Sequence, residues 1–187
     1  MDTHTAIQLL LDAHRLNRIP RSGWVMRGVS DAESVADHSF GVAFIALILS
    51  EMMNQPLDQA KLLTIALLHD LPESVIGDIP APATVHFAAG AKREAETGAL
   101  NTLLRGLSCA ERWRSWWREF EDGETIEGRL VRDADRLDVL VQAYVYEQTT
   151  GNRRLEEFWE RSEASDFEFA ATRTLYEALR ALRQRSV

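Results

Sequence analysis

The chain has 187 residues, and its 29 acidic residues outnumber its 21 basic residues, which gives a formal net charge of −8. This length corresponds to about one domain, with a core large enough to fold without disulfides. The lone cysteine, Cys109, excludes an internal disulfide and a thiolate metal site, since both need several cysteines. We therefore expect a single domain over residues 1–187.

Charge and hydropathy also narrow the class of partner. An acidic chain is a poor ligand for nucleic-acid polymers and for anionic membranes, because both are bound through Lys and Arg. The longest apolar run, residues 41–49, has about half the length that a bilayer span requires. The N-terminal residues lack the basic segment and the cleavage site of a signal peptide. We expect a cytoplasmic protein with neither a nucleic-acid polymer nor a membrane as partner.

Apolar residues recur at helical spacing along most of the chain, and no stretch has the alternation typical of a strand. The predicted class is all-α, a single compact bundle of seven or eight helices. The predicted elements, in chain order, are a first helix capped by Thr3 or Thr5, a loop over 18–31, a helix over 33–53, a helix from a cap at Asp58 to 69–70, a rigid loop over 77–82, and helices over 91–105, 109–120, 125–149, 153–162 and 166–185.

The most informative motif is the dipeptide His69-Asp70, at the end of an apolar helix. Adjacent helical side chains lie about 100° apart around the axis, so both can reach one point just beyond the helix end. A buried Asp needs compensation, because an unpaired buried charge is costly. One interpretation is a structural His–Asp pair satisfied by backbone donors or by an Arg.

Three further features favour a metal site. His38 immediately precedes the apolar run, Glu73 lies three residues beyond Asp70, and the acid-rich segment 130–138 follows much later. Two imidazoles and two carboxylates form a mixed nitrogen and oxygen pocket that suits one divalent ion such as Mn²⁺, Co²⁺, Fe²⁺ or Zn²⁺. Within the acid-rich segment, the apolar spacing places Asp138 nearer the core than its neighbours.

Five segments, taken together and in this order, resemble the HD-domain metal-dependent phosphohydrolases, and among them the 5′-deoxynucleotidases of eukaryotic type. They are residues 18–29 (RIPRSGWVMRGV), 33–38 (ESVADH), 69–73 (HDLPE), 77–80 (GDIP) and 130–135 (LVRDAD). The resemblance covers roughly residues 8 to 150 and implies the HD-domain fold, hydrolase activity, a role in nucleotide metabolism and a homodimer.

The resemblance implies that His38, His69, Asp70 and Asp135 hold one divalent metal ion, which could be Mn²⁺, Co²⁺, Mg²⁺ or Zn²⁺. Asp133 and Asp138 are the alternatives to Asp135, and each could instead be a solvated carboxylate or one in the first turn of a helix. Asp70 and Glu73 are the implied catalytic residues. Glu73 would act as the acid/base or orient the attacking water, and its alternative interpretation is an ordinary exposed glutamate.

Substrate contacts are expected from two segments. Residues 13–30 hold four arginines and no acidic residue, and guanidinium groups bind phosphate well. We expect Arg18 or Arg21 to bind the phosphate. By resemblance, Asp78 would contact the sugar 3′-hydroxyl, beside a wall formed by Ile79 and Pro80. Asp78 could also be a turn residue that bonds its own backbone.

Trp24 is the remaining substrate-binding candidate. By resemblance it would lie near the sugar, and its alternative role is an anchor that pins the loop. The predicted activity is hydrolysis of (deoxy)ribonucleoside 5′-monophosphates to nucleoside and phosphate. The alternatives are a phosphohydrolase of another nucleotide, either a triphosphate or a cyclic one, and a binding module without turnover.

Overall fold

A computed structural model describes residues 2–186, so the two ends of the predicted domain, residues 1 and 187, lie outside it. The helices are α1 (Thr3–Ala13), α2 (Ser22–Val25), α3 (Val35–Met52), α4 (Gln59–Leu68), α5 (Glu73–Ile76), α6 (Ala81–Thr84), α7 (Ala91–Leu103), α8 (Ala110–Asp122), α9 (Ile126–Thr150), α10 (Glu156–Glu160) and α11 (Ala170–Ser186). Short 3-10 turns occupy His14–Arg18, Arg153–Leu155 and Ala164–Asp166. No strand occurs within residues 2–186, and the all-α prediction is confirmed.

Hydrogen bonds from individual side chains, and not the spacing of apolar residues, decide where the helices begin. The cap of α1 is Asp2, whose carboxylate accepts from the backbone N–H groups of His4 and Thr5, so the prediction of Thr3 or Thr5 as cap is wrong. The Thr5 hydroxyl itself donates to Asp2. The predicted cap of α4 is confirmed, because Asp58 Oδ1 accepts from the Lys61 N–H at 2.9 Å.

Three predicted segments are divided more finely than the sequence indicates. The loop over 18–31 contains α2, and the helix over 153–162 is a 3-10 turn followed by α10. The last helix starts at Ala170 and not at 166, because Glu163 and Asp166 form a reciprocal capping box around the preceding 3-10 turn.

The chain divides into two compact units, and the first comprises the residues up to 40 together with 67–118. Its apolar core is continuous and includes Leu16, Val35, Leu68, Leu71, Leu100, Leu103, Leu104, Leu107, Ala110 and Trp117. Trp117 is 1% exposed, and its indole N–H donates to the backbone carbonyl of His69 at 3.0 Å. The core therefore holds the His69-Asp70 backbone directly.

The second unit comprises 41–66 and the residues from 119 onward. Helices α9 and α11 pack against each other in it. Asp133 on α9 is 1% exposed and accepts the backbone N–H groups of Glu168 and Phe169, each at 3.0 Å. The Tyr176 hydroxyl of α11 donates to the Ser162 carbonyl. These bonds fix the chain between α10 and α11.

Helix α3 is the most apolar element. By length and composition alone it could cross a membrane, a test that the core helix of a soluble protein also passes. Its exposed side includes Phe40, Phe44, Ile48 and Met52, spaced four residues apart. We call these four side chains the α3 stripe.

Candidate metal centre

Three side chains of the first unit converge on one point. The distance is 3.4 Å between the Nε2 atoms of His38 and His69, 3.6 Å from His38 Nε2 to Asp70 Oδ2, and 3.3 Å from His69 Nε2 to Asp70 Oδ2. Ligands about 2.1 Å from a tetrahedral metal lie about 3.4 Å from one another. The two imidazoles are almost completely buried, so the donor set and its spacing fit one divalent ion.

The local sequence explains how adjacent residues come to share this point. Helix α4 ends at Leu68, and Leu71 N–H closes a turn on the Leu68 carbonyl at 3.1 Å. Pro72 then precedes the short helix α5, which carries Glu73. His69 and Asp70 therefore lie in a turn between α4 and α5, and α4 does not continue to Glu73.

Arg21 is surrounded by carboxylates. Its Nη1 atom lies 3.1 Å from Asp70 Oδ2, 3.0 Å from Asp78 Oδ1 and 3.8 Å from Glu73 Oε2. Its side chain is 18% exposed. The guanidinium group of Arg21 thus compensates three acidic groups. Arg21 is therefore the positively charged partner that the buried carboxylate of Asp70 requires.

Asp78 ties the loop before α6 to the start of α2. Its Oδ2 accepts the backbone N–H of Ser22, and its carbonyl accepts the Ser22 hydroxyl at 2.9 Å. With Arg21 on Oδ1, both carboxylate oxygens have donors from another segment. Asp78 therefore does not bond its own backbone, as one interpretation had it. Its neighbours Ile79 and Pro80 are half-buried.

Glu73 is 2% exposed, so its interpretation as an ordinary exposed glutamate is wrong. Its Oε2 atom is buried and forms no hydrogen bond within the described residues. Burial raises the pKa of Glu73 to about 9, and the charges of Asp70 and Asp78 act in the same direction. Without a metal, this carboxyl group holds a proton at neutral pH.

The pKa of Asp70 is shifted in the opposite direction to that of Glu73. Burial by itself would raise the pKa of Asp70, but the charge and hydrogen bond of His69, followed by the charges of Arg21 and His38, hold it well below its usual range. Two acidic groups three residues apart therefore differ in charge at neutral pH. Such a difference is typical of sites that carry acid/base chemistry.

Lys92 is a charged neighbour that the sequence analysis missed. It lies on α7, which packs against α5, and its Nζ atom is 3.1 Å from Glu96 Oε1. Burial would lower the pKa of Lys92, but Glu96, followed by Glu73 and Asp70, raises it. The chain offers only the i,i+4 spacing of Lys92 and Glu96 as a signal, and this spacing is common on exposed helices.

Two other substrate candidates differ in their surroundings. Arg18 is exposed, at the end of its 3-10 turn. Trp24 is 3% exposed, and its indole N–H donates to Glu33 Oε1 at 2.8 Å. The indole therefore anchors its loop, while contact of Trp24 or Arg18 with a substrate stays a prediction.

The fourth predicted ligand, Asp135, lies on α9 in the second unit and is half-buried. Its two alternatives are not solvated, contrary to one interpretation, since Asp133 is 1% and Asp138 is 7% exposed. Both carboxylate oxygens of Asp133 accept backbone N–H groups, so this side chain stabilises the fold of the second unit. Asp135 as a ligand stays a prediction.

The model of the HD domain family matches residues 13–172, which is most of the chain. The chain belongs to the HD domain family. The matched range contains every residue of the cluster around His69-Asp70. The resemblance to HD-domain proteins inferred from five short segments is thereby confirmed.

Individual proteins are also similar to the chain over most of its length. The chain is 31% identical over 158 residues to the 5′-deoxynucleotidase HDDC2 of Danio rerio, covering 84% of this chain and 78% of the relative. It is 34% identical to the 5′-deoxynucleotidase HDDC2 of Dictyostelium discoideum, covering 72% and 73%. A conserved hypothetical protein from Pyrococcus furiosus is 40% identical and superposes with a TM-score of 0.80, covering 95% of this chain and 99% of that one. The likeness to this solved structure thus extends over almost the whole chain.

Proposed function

We propose that the protein is a metal-dependent phosphomonoesterase that hydrolyses (deoxy)ribonucleoside 5′-monophosphates to nucleoside and phosphate. The observation that carries the proposal is the convergence of His38, His69 and Asp70 beside the buried carboxyl group of Glu73. The HD-domain relatives named 5′-deoxynucleotidases support the substrate class. A cluster that served only to stabilise the fold would not need a buried carboxyl group with an oxygen that lacks a hydrogen bond.

The metal in this proposal is one divalent ion, Mn²⁺, Co²⁺, Mg²⁺ or Zn²⁺. His38, His69 and Asp70 would hold it together with Asp135 from the second unit. A bound ion of this kind polarises a phosphoryl oxygen and lowers the pKa of a bound water towards about 7. The low pKa of Asp70 supports its role, because only the ionised carboxylate is a ligand.

Glu73 supplies the proton transfer. Beside a bound divalent ion the ionised form of Glu73 is favoured, and its Oε2 atom, which has no hydrogen-bond donor from the described residues, can then accept a proton from the attacking water. The same carboxyl group can then give that proton to the 5′-oxygen as the bond from phosphorus to that oxygen breaks. One water is consumed, and the products are a nucleoside and inorganic phosphate.

Positive charge for the phosphate comes from the segment before α2. Arg18 is exposed and can turn towards a phosphate, whereas Arg21 has three carboxylates around it and balances the site. We infer that Arg18 contacts the phosphate first and that Arg21 keeps the acidic groups in place. The nucleoside would lie against the remaining candidates, Trp24, Asp78, Ile79 and Pro80.

The α3 stripe supports a homodimer. Large apolar side chains at regular spacing on one helix are typical of a surface covered by another protein. A second copy of this chain offers the same stripe, as a twofold interface requires. Sedimentation velocity should show a dimer for the wild type and a monomer for Ile48→Glu. Leu11→Glu, a change at a more exposed apolar residue of α1, should stay dimeric, and a monomeric wild type would contradict the proposal.

The activity test is release of phosphate from a full set of nucleoside and deoxynucleoside 5′-monophosphates, with each of the four metals in turn. The proposal predicts turnover of monophosphates that EDTA abolishes and metal restores. Release confined to a nucleoside triphosphate, or opening of a cyclic nucleotide, would identify a different HD-domain phosphohydrolase. Metal binding without any turnover would indicate a binding module.

A further inference from the structure

The second unit contains a pocket that the proposed reaction does not use. Its cavity measures about 420 Å³, within the range that holds small organic ligands. Val139, Leu140 and Phe167 form its apolar wall, and Arg136, Arg161, Ser162 and Asp166 supply its polar atoms. We call this cavity the Arg136–Arg161 pocket.

Two guanidinium groups line this pocket. In the same unit Arg183 pairs with Glu147 and Arg129 pairs with Glu168, while Arg173 donates to backbone carbonyls. Arg136 also donates to a backbone carbonyl, that of Asp166, at 2.6 Å. Within residues 2–186, neither Arg136 nor Arg161 forms an ion pair with a carboxylate.

The acidic side chain in the pocket is already engaged. Asp166 Oδ2 accepts the backbone N–H of Glu163 at 2.7 Å, as part of the capping box of that turn. The Ser162 hydroxyl donates to the Phe158 carbonyl at 2.7 Å, so its proton is also engaged. Two positive groups therefore line a cavity whose one carboxylate is held by a backbone donor.

We propose that the Arg136–Arg161 pocket binds a small organic phosphate. The guanidinium groups suit a phosphoryl group, because each can donate two parallel hydrogen bonds to its oxygens. Val139, the half-buried member of the apolar wall, suits the apolar part of the same molecule. Both arginines are exposed and accessible to a ligand, and Arg136 is preorganised because it is held by the Asp166 carbonyl.

The probe is phenylphosphonate, which carries a phosphoryl group and an apolar ring but has no ester bond to hydrolyse. The magnesium-loaded, ¹⁵N-labelled protein is titrated and followed by amide chemical shifts, with inorganic phosphate as a second arm. The amides of Arg161, Ser162 and Phe167 should shift in a saturable way, with a Kd of about 1 mM or tighter. Shifts near Asp70 report the metal centre and are fitted separately.

Arg161→Gln should weaken binding at the pocket about tenfold or more, and Arg136→Gln should act in the same direction. Arg154→Gln is the matched control, since this exposed arginine of the second unit does not line the pocket. Arg161 is exposed, so its variant keeps the fold even if Arg136→Gln does not. Unshifted pocket amides, equal binding by Arg161→Gln and wild type, or equal affinity for phenylphosphonate and inorganic phosphate would overturn the proposal.

Discussion

The Nε2 atoms of His38 and His69 lie 3.4 Å apart, although 31 positions separate the two residues in the chain. Their rings meet edge to face, with centroids 5.4 Å apart. Two protonated imidazoles would repel each other strongly at this distance in a buried site. The two imidazoles are therefore suited to bind one shared cation. Asp70 Oδ2 lies 3.6 Å from His38 Nε2 and 3.3 Å from His69 Nε2, so it offers a third ligand atom at the same point.

Glu73→Gln tests the acid/base role. The amide cannot accept the proton of the attacking water, so kcat should fall by about 10²–10⁴, while the number of metal ions bound per chain stays the same. Steady-state kinetics and metal analysis of the same preparation provide both numbers. If the metal is lost together with activity, Glu73 is a ligand and not the proton acceptor.

The stability of the metal-free protein should depend on Glu73. Its pKa is about 9 in the folded protein and 4.5 in the reference state, so between these values the folded state keeps a proton that the unfolded chain has released. Stability is therefore highest below the lower value and declines as the pH rises towards the upper one. Glu73→Gln removes this decline, so its advantage over the wild type should grow by about 1.4 kcal/mol for each pH unit between these values.

Urea unfolding in EDTA at a mildly acidic and a mildly alkaline pH measures this effect. The difference between the free energies of unfolding of variant and wild type should grow with pH. A difference that does not change with pH would mean that Glu73 is ionised in the folded protein.

Substitutions of Arg18 and Arg21, the two candidates for binding the phosphate, should differ in their effects on activity and on thermal stability. Arg18→Ala should raise KM about tenfold and leave thermal stability unchanged, because Arg18 is exposed. Arg21→Ala should lower both kcat/KM and Tm, because it removes the positive partner of Asp70 and Asp78. Arg15→Ala, at a largely exposed arginine paired with Asp12, is the control and should change neither. The assignment fails if Arg18→Ala unfolds the protein and Arg21→Ala changes only KM.

Gly41→Ala should destabilise the protein. A Cβ at this position of α3 would overlap the carboxylate of Asp138 on α9, with its Cγ only 2.9 Å away. Overpacking of this kind costs about 1–3 kcal/mol. Gly98→Ala on α7 is the matched control, because nothing lies within 4 Å of its Cβ position, and it should stabilise by about 0.5–1 kcal/mol. Chemical denaturation that ranks the two variants the other way would contradict the close approach.

Much of the fold follows from helical spacing, since apolar periodicity predicts the long helices and the all-α class. The boundaries depend on individual side-chain bonds that spacing does not contain, such as Asp2 at the start of α1 and the Glu163–Asp166 box before α11. These bonds decide the ends of helices, because only the terminal backbone groups lack partners within the helix.

The residues of the candidate site are likewise only partly predictable from the sequence. His38, His69 and Asp70 could be selected from the sequence, because the dipeptide and its upstream histidine form a recognisable pattern. The contact of Arg21 with Asp70 joins residues 49 positions apart, and Lys92 comes from a separate helix. Their roles depend on tertiary packing, and nothing in the local sequence indicates which arginine or lysine will face the acidic groups.

We expect hydrolysis to require one metal ion held at the His38–His69–Asp70 cluster. Asp70→Asn tests this requirement most directly, because the amide keeps the shape of the side chain and removes the anionic ligand. Metal content per chain and phosphate release from deoxynucleoside 5′-monophosphates should be measured on wild type and variant together, with circular dichroism as the check on folding. We predict a folded variant that has lost both the metal and turnover. A folded Asp70→Asn protein with the activity of the wild type would show that hydrolysis does not depend on this metal ligand.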